Sequence, residues 1–285
     1  MLKKLIRIFP VGLVAVLATV ILATDAPFVL VDRAVIETRL KSFSRDDTER
    51  EAILKKLFAD SGCADHISEQ PVKHVKQPNL VCTLPGQTNS VIIVGAHFDH
   101  VKEGEGVVDN WSGASLLSSL YQSLNRTPRR HTFLFIAFAG EEDGLLGSEF
   151  YVNHMSKEDV ARTEAMINMD SLGLGPTEAW VSHADPKLAN ILSWTSKTLR
   201  LPLREMDVEA VGTADSEEFA RRKIPRLTVH SVTQKTLPIL HHSADNLKAI
   251  HLDDYYDSYH LLAAYLAVLD TTLGQPEPPA APSTK

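Results

Sequence analysis

Three apolar runs constrain this chain more than any other feature. "VIIVGAHFDH" (91–100), "HTFLFIAFAG" (131–140) and "AMINMD" (165–170) each hold one strand's worth of apolar residues, and each closes on polar or acidic ones or is followed by them. Runs without polar alternation suit strands buried on both faces, the habit of a parallel sheet covered by helices. Helical patterns lie between them. Residues 44–62 place Ile53, Leu54, Leu57 and Phe58 on one stripe, with Gly62 as a stop, and 113–125 do the same with Leu117, Leu120, Tyr121 and Leu124. Residues 186–199 and 252–270 read as two more helices. "NLVCTLPG", "EAWVS" (178–182) and "RLTVHS" add strands. The order predicts an α/β fold with a largely parallel sheet.

The 285 residues suit one large domain or two small ones. No repeat or linker interrupts 30–272, so one domain, 27–272, is the simpler reading. "GQPEPPAAPSTK" closes the chain, and its Pro/Ala content predicts a disordered tail over 273–285. The start differs in kind. Lys3, Lys4 and Arg7 precede an uncharged run from Ile8 to Ala23, the pattern of an export signal, or of an uncleaved membrane anchor, over 1–26. The expected location is therefore periplasmic or secreted. A net charge of -7, with no basic block beyond the first residues, argues against a nucleic-acid partner. Cys63 and Cys82 fit a disulfide or two separate buried thiols, and neither has the spacing of a redox or zinc motif.

Polar residues gather where the strands end. His97 and Asp99 follow the first run, Glu141 and Glu142 the second, Asp170 the third. Asp109 precedes a helix in "VVDNWSG", and His241 and His242 lie in "ILHHSADN". In open α/β sheets the binding crevice forms at the carboxyl ends of the strands, so these distant residues converge. Taken singly, each has a plain structural reading as a solvated loop, cap or turn residue. Together they make a ligand set for two metal ions, with Asp109 as bridge, His97 and Asp170 on one ion, and Glu142 and His241 on the other. The donors suit zinc, with cobalt or manganese as substitutes. Asp99 is placed to accept the second ring N–H of His97, and Glu141 to act as general base.

These stretches resemble a known family. "GAHFDHV", "VVDNWSGASLL", "FAGEEDGLLGSEFYV", "NMDSLGLG" and "LHHSADN" are similar to the zinc-dependent aminopeptidases of metallopeptidase family twenty-eight, which includes bacterial leucyl aminopeptidases, aminopeptidase Y, glutamate carboxypeptidase II and the glutaminyl cyclases. The resemblance implies a three-layer α/β/α sandwich with a mixed, mostly parallel sheet. It implies an exopeptidase with two Zn2+ and peptide substrates, in which zinc-activated water attacks and Glu141 moves the proton. It also implies a cis peptide after Asp109. The family pattern sets the ligand histidine four residues before an Asp, which selects His241 over His242. One stretch departs: Ala214, Asp215 and Ser216 stand where members often carry Ser-Asp-His. Removal of amino-terminal residues is the leading expectation. A single-zinc glutaminyl cyclase, a carboxypeptidase and a silent peptide-binding ectodomain are the alternatives.

Overall fold

A computed structural model of the chain describes residues 28–206 and 212–274. The expected export segment and the tail beyond Gly274 lie outside them. Eight strands form one sheet: β1 (Ile67–Gln70), β2 (Asn79–Leu84), β3 (Val91–His97), β4 (Thr132–Phe138), β5 (Thr163–Met169), β6 (Thr177–Ala179), β7 (Leu203–Glu205) and β8 (Arg226–His230). Their order across the sheet is β1-β2-β4-β3-β5-β8-β6-β7. The centre, β4-β3-β5-β8, is parallel throughout, while β1 and β2 on one side, and β6 against β8 on the other, run antiparallel.

All seven residues of β3 are buried, as an unalternating run requires. Successive side chains then serve two cores. Ile92, Val94, Phe133, Phe135, Ala165 and Ile167 join the larger core, and Val91, Ile93, Ile136, Phe138 and Met166 the smaller one. Helices α1 (Arg33–Leu40), α2 (Asp47–Phe58), α3 (Ser112–Asn125), α6 (Pro186–Leu199) and α8 (Leu252–Thr272) supply apolar side chains to the larger core. Helices α4 (Leu146–His154) and α7 (Ser216–Arg221) cover the smaller one through Val152 and Phe219, with Val160 of α5 (Lys157–Arg162) at its edge. The result is the three-layer sandwich.

Local chemistry sets the boundaries. Asp46 caps α2 by accepting the Glu49 N–H at 3.0 Å, and Asp185 caps α6 ahead of Pro186. The strand expected over 178–182 stops at Ala179. Trp180 still donates its backbone N–H to the Thr228 carbonyl, but Val181–His183 turn into a 3-10 helix. Cys63 and Cys82 form a disulfide with Cα atoms 6.2 Å apart, joining the end of the α2 segment to β2.

Candidate active site

The four central strands deliver their polar residues to one end of the sheet. His97 is the last residue of β3, Asp170 follows β5, and Glu141 and Glu142 follow β4 after a two-residue turn. Asp109 lies in the turn that opens α3. The Asp109–Asn110 peptide is cis, as the resemblance implied. The Asn110 side chain fixes this turn: its amide donates to the Met169 carbonyl at 2.9 Å, and its oxygen accepts the N–H groups of Gly113 and Ser171. A side chain at Gly113 would collide, since a Cβ there would lie 2.6 Å from the Asn110 oxygen and 2.8 Å from the Met169 carbonyl.

The side chains meet. Asp109 Oδ1 is 3.2 Å from His97 Nε2, and its Oδ2 is 3.1 Å from His241 Nε2. His241 Nε2 is also 3.1 Å from Glu142 Oε2, and His97 Nε2 is 3.7 Å from Asp170 Oδ1 and 4.0 Å from Glu141 Oε2. His97, Asp109 and Glu142 offer ligand atoms within 4.8 Å of one another, as do His97, Glu141 and Asp170. His242 stays apart, exposed, with Nδ1 at 2.8 Å from the Leu240 carbonyl. The separation of the two histidines comes from a turn, not from extended backbone: His241 has φ 59°.

Asp99 is placed differently from expectation. Its Oδ1 is 3.7 Å from His97 Nδ1, outside hydrogen-bond range, and that buried nitrogen has no partner among the described residues. The two Asp99 oxygens instead accept the backbone N–H groups of Glu141 and Glu142, each at 3.1 Å. Asp99 thus faces a candidate ligand histidine while holding the loop that carries the acid pair. Short spacing suggested the first contact; the second needed the fold.

The electrostatics call for positive charge. Burial pushes Glu142 up to about 8, with repulsion from Asp109 adding to it. Burial also lifts Glu141 well above the carboxylate range, against attraction from His97 and helped by Asp215, Asp170 and Asp109. Asp109 goes the other way. Burial would raise it, but the His241 and His97 imidazoles hold it far below its usual value. His241 is raised to about 9 by its contact with Asp109, although burial opposes this. The acids around them draw both imidazoles toward the charged form, although burial opposes this. Divalent metal fits this place, because the donors are histidine nitrogens and carboxylate oxygens, and buried Glu142 Oε1 has no hydrogen-bond partner among the described residues.

Three further residues support the site, and only the first of them escaped the sequence reading. Arg50 is fully buried and donates to the carbonyls of Ser44, Phe98, Glu105 and Gly106. The Gly104–Gly106 stretch, which reads as a mobile loop or a simple connector, is tied down by it. Gly104 adds a close approach: at φ 87° its Cβ would lie 2.4 Å from the His242 carbonyl. The available signal was a charge in the apolar stripe, four residues before Leu54. Asp245 accepts the N–H groups of Val108 at 2.7 Å and Asp109 at 3.2 Å. Asp215, the retained member of the departing triplet, is wholly buried behind the cluster, and burial raises it to about 7.

The family model for peptidase family M28 matches residues 79–266. The chain belongs to that family. Among M28-type relatives it is 30% identical over 177 residues to aminopeptidase YwaD of Bacillus subtilis, a match covering 60% of this chain and 36% of that protein. The chain therefore spans about a third of that relative's length. The crystal structure of Legionella pneumophila LapA aminopeptidase shares the fold, with TM-score 0.73 and 22% identity over 84% of this chain and 72% of that one. A glutaminyl cyclase from an Acidobacteriales bacterium shares it too, with TM-score 0.70 and 16% identity over 84% of this chain and 93% of that one. The M28 assignment matches the family read from the sequence motifs, and the likeness to these structures confirms the mixed α/β sheet.

Proposed function

We propose that this M28 chain is a two-metal exopeptidase, acting outside the cytoplasm, that removes amino-terminal residues from peptides. The observation that carries the reading is the division of Asp109, one oxygen toward His97 and the other toward His241. A carboxylate so placed suits a bridge between two ions. His97 and Asp170 would complete one site, and Glu142 and His241 the other. When bound, zinc supplies polarisation of the scissile carbonyl and activation of water at neutral pH.

The remaining chemistry belongs to the chain. Glu141 lies beside the ligands without being needed by either set. Burial raises its affinity for a proton, which suits a group that takes one from the attacking water and returns it to the leaving amine. Asp99 keeps the Glu141 backbone in place. A cleft of about 610 Å³ opens over the cluster, with Trp180, Val232, Leu237 and Leu240 along its apolar wall. That wall suits the side chain of the residue being released.

Export is supported by the charged-then-apolar run of residues 3–23 and by the Cys63–Cys82 bridge, a bond that persists in oxidising compartments. Either cleavage of the leading segment or its retention as an anchor fits. The deciding experiment loads the protein with zinc, presents a peptide library and reads which end is trimmed. Loss of residues from the amino end supports the proposal. Trimming from the carboxyl end, or ring closure of amino-terminal glutamine, replaces it with another chemistry of the fold.

A further inference from the structure

Trp180 forms part of the apolar wall of the cleft, yet it belongs to neither apolar core. It follows β6, and its backbone N–H donates to the Thr228 carbonyl at 3.1 Å. β6 and β8 are antiparallel neighbours with Ala179 opposite Val229. Trp180 therefore stands opposite Thr228 and on the same face of the sheet, and Thr228 lines the cleft as well. The indole is buried, and its own 3-10 turn holds it. Its Nε1–H donates to the Ser182 hydroxyl at 3.1 Å. The His183 ring stacks on it, with centroids 4.4 Å apart and planes inclined by 15°.

His183 is itself tethered. Its Nδ1 lies 2.7 Å from Glu217 Oε1. Glu217 also accepts two bonds from Arg226 Nη2, at 2.9 and 3.0 Å. Burial would raise the Glu217 carboxyl, but its bonds to His183 and Arg226 hold it below its usual value. A carboxylate only accepts, so Nδ1 of His183 carries the hydrogen. Glu217 lies in the first turn of α7, and Arg226 opens β8. The series Arg226, Glu217, His183, Trp180 thus fastens the wall to the sheet. His183 does not line the cleft, so its effect on a bound molecule must pass through Trp180.

We propose that His183 is a positioning residue for substrate selection: it backs Trp180 and fixes the indole as the wall on which large apolar first residues, such as leucine, are seated. This rests on the exopeptidase reading, which places that side chain in the cleft. Without the stack, the ring would have to be ordered when the substrate binds. A small side chain such as alanine makes less contact with the wall and gains less from a fixed ring. One aromatic pair is worth about fivefold in an equilibrium.

The test compares leucyl and alanyl p-nitroanilides on the zinc-loaded protein and on the variants H183A and H183F. The ratio of kcat/KM for leucine over alanine should fall about fivefold in H183A, through KM for the leucyl substrate. It should be retained in H183F, whose ring can restore the stack. Metal content should be unchanged in both. An unchanged ratio in H183A, or an equal loss in H183F, overturns the proposal while the exopeptidase reading stands. A second measurement needs no turnover. In protein carrying 5-fluorotryptophan, with the Trp180 19F signal assigned through W180F, that signal should broaden in H183A while those of Trp111 and Trp194 hold; a signal that stays sharp overturns the proposal. In the unsubstituted chain, free L-leucine should shift the Trp180 signal more than L-alanine does. If nothing is hydrolysed yet leucine shifts that signal, the exopeptidase reading falls and the braced wall remains. If the signal ignores both amino acids, the wall is not a subsite and the proposal falls.

Discussion

Asp245 holds Asp109 by its backbone, from 136 positions away: one Asp245 oxygen accepts the Asp109 N–H at 3.2 Å, and the other accepts that of Val108. The carbonyl of Asp245 accepts the Glu105 N–H as well. The loop that presents His241 and the turn that presents Asp109 are therefore one unit, fastened through a residue that need not touch a metal. Supporting groups of this kind are worth about 10–100-fold in metal affinity. Asp245→Ala should weaken zinc binding on that scale, measured by titration against a competing chelator. Unchanged affinity would mean that the two loops hold their geometry without the clasp.

The division of Asp109 between two histidines predicts two metal ions per chain. Elemental analysis after gentle dialysis should approach two equivalents of zinc or of a substitute. A stable value near one would point to single-metal chemistry, and full activity without metal would remove the mechanism.

Glu141 and Glu142 are neighbours with separate tasks. Glu141→Gln preserves shape and removes the proposed proton carrier, and general acid–base groups contribute about 10²–10⁴-fold in rate. Turnover should drop on that scale while metal content holds. Glu142→Gln should first reduce metal content. Equal loss of metal in both variants would show that Glu141 is itself a ligand.

His241 and His242 should separate as cleanly. His241→Ala removes the imidazole 3.1 Å from both Asp109 and Glu142, so metal occupancy and activity should both fall sharply. His242→Ala removes an exposed ring bonded to its own loop and should leave most of each. The reverse pattern would move the ligand assignment by one residue.

The Cys63–Cys82 bridge spans 19 positions. Closing a loop of that size restricts the unfolded chain by about 3 kcal/mol on the chain-entropy account. Reduction, or paired replacement by serine, should cost stability near that amount in denaturant titrations. Because the bridge ties α2 to β2, away from the ligands, zinc stoichiometry should not change. A loss of metal on reduction would place the bridge in the support of the site.

The central strands and the long helices were legible because their apolar periods are long and unbroken. Residues 186–199 were bounded as the structure bounds them, with Asp185 and Pro186 marking the start. Short, half-exposed pieces such as β1, β7 and α5 carry too few apolar positions to show a period. All the site residues named from the sequence lie in or beside the cluster, since strand ends on a parallel sheet share one edge. What stayed hidden was partnership. The Asp99 contact with the Glu141–Glu142 backbone joins groups more than forty positions apart. The anchoring role of Arg50 depends equally on distant backbone. Spacing along a chain carries no record of such pairings.

The candidate ligands are spread from His97 to His241, and no two come from the same strand. Metal held by this set would therefore recognise only a chain whose sheet is finished, with β8 in register and the following loop folded back. A fragment ending before Leu240 would lack a donor as well as the α8 side of the larger core. Binding that selects the finished fold draws free energy from every step leading to it. Removal of the metal should lower the melting temperature of the whole domain as one transition, with no separate early melting of the loops around the cleft. The site would then act as a seal on completion, closing only over a chain that has already found its topology.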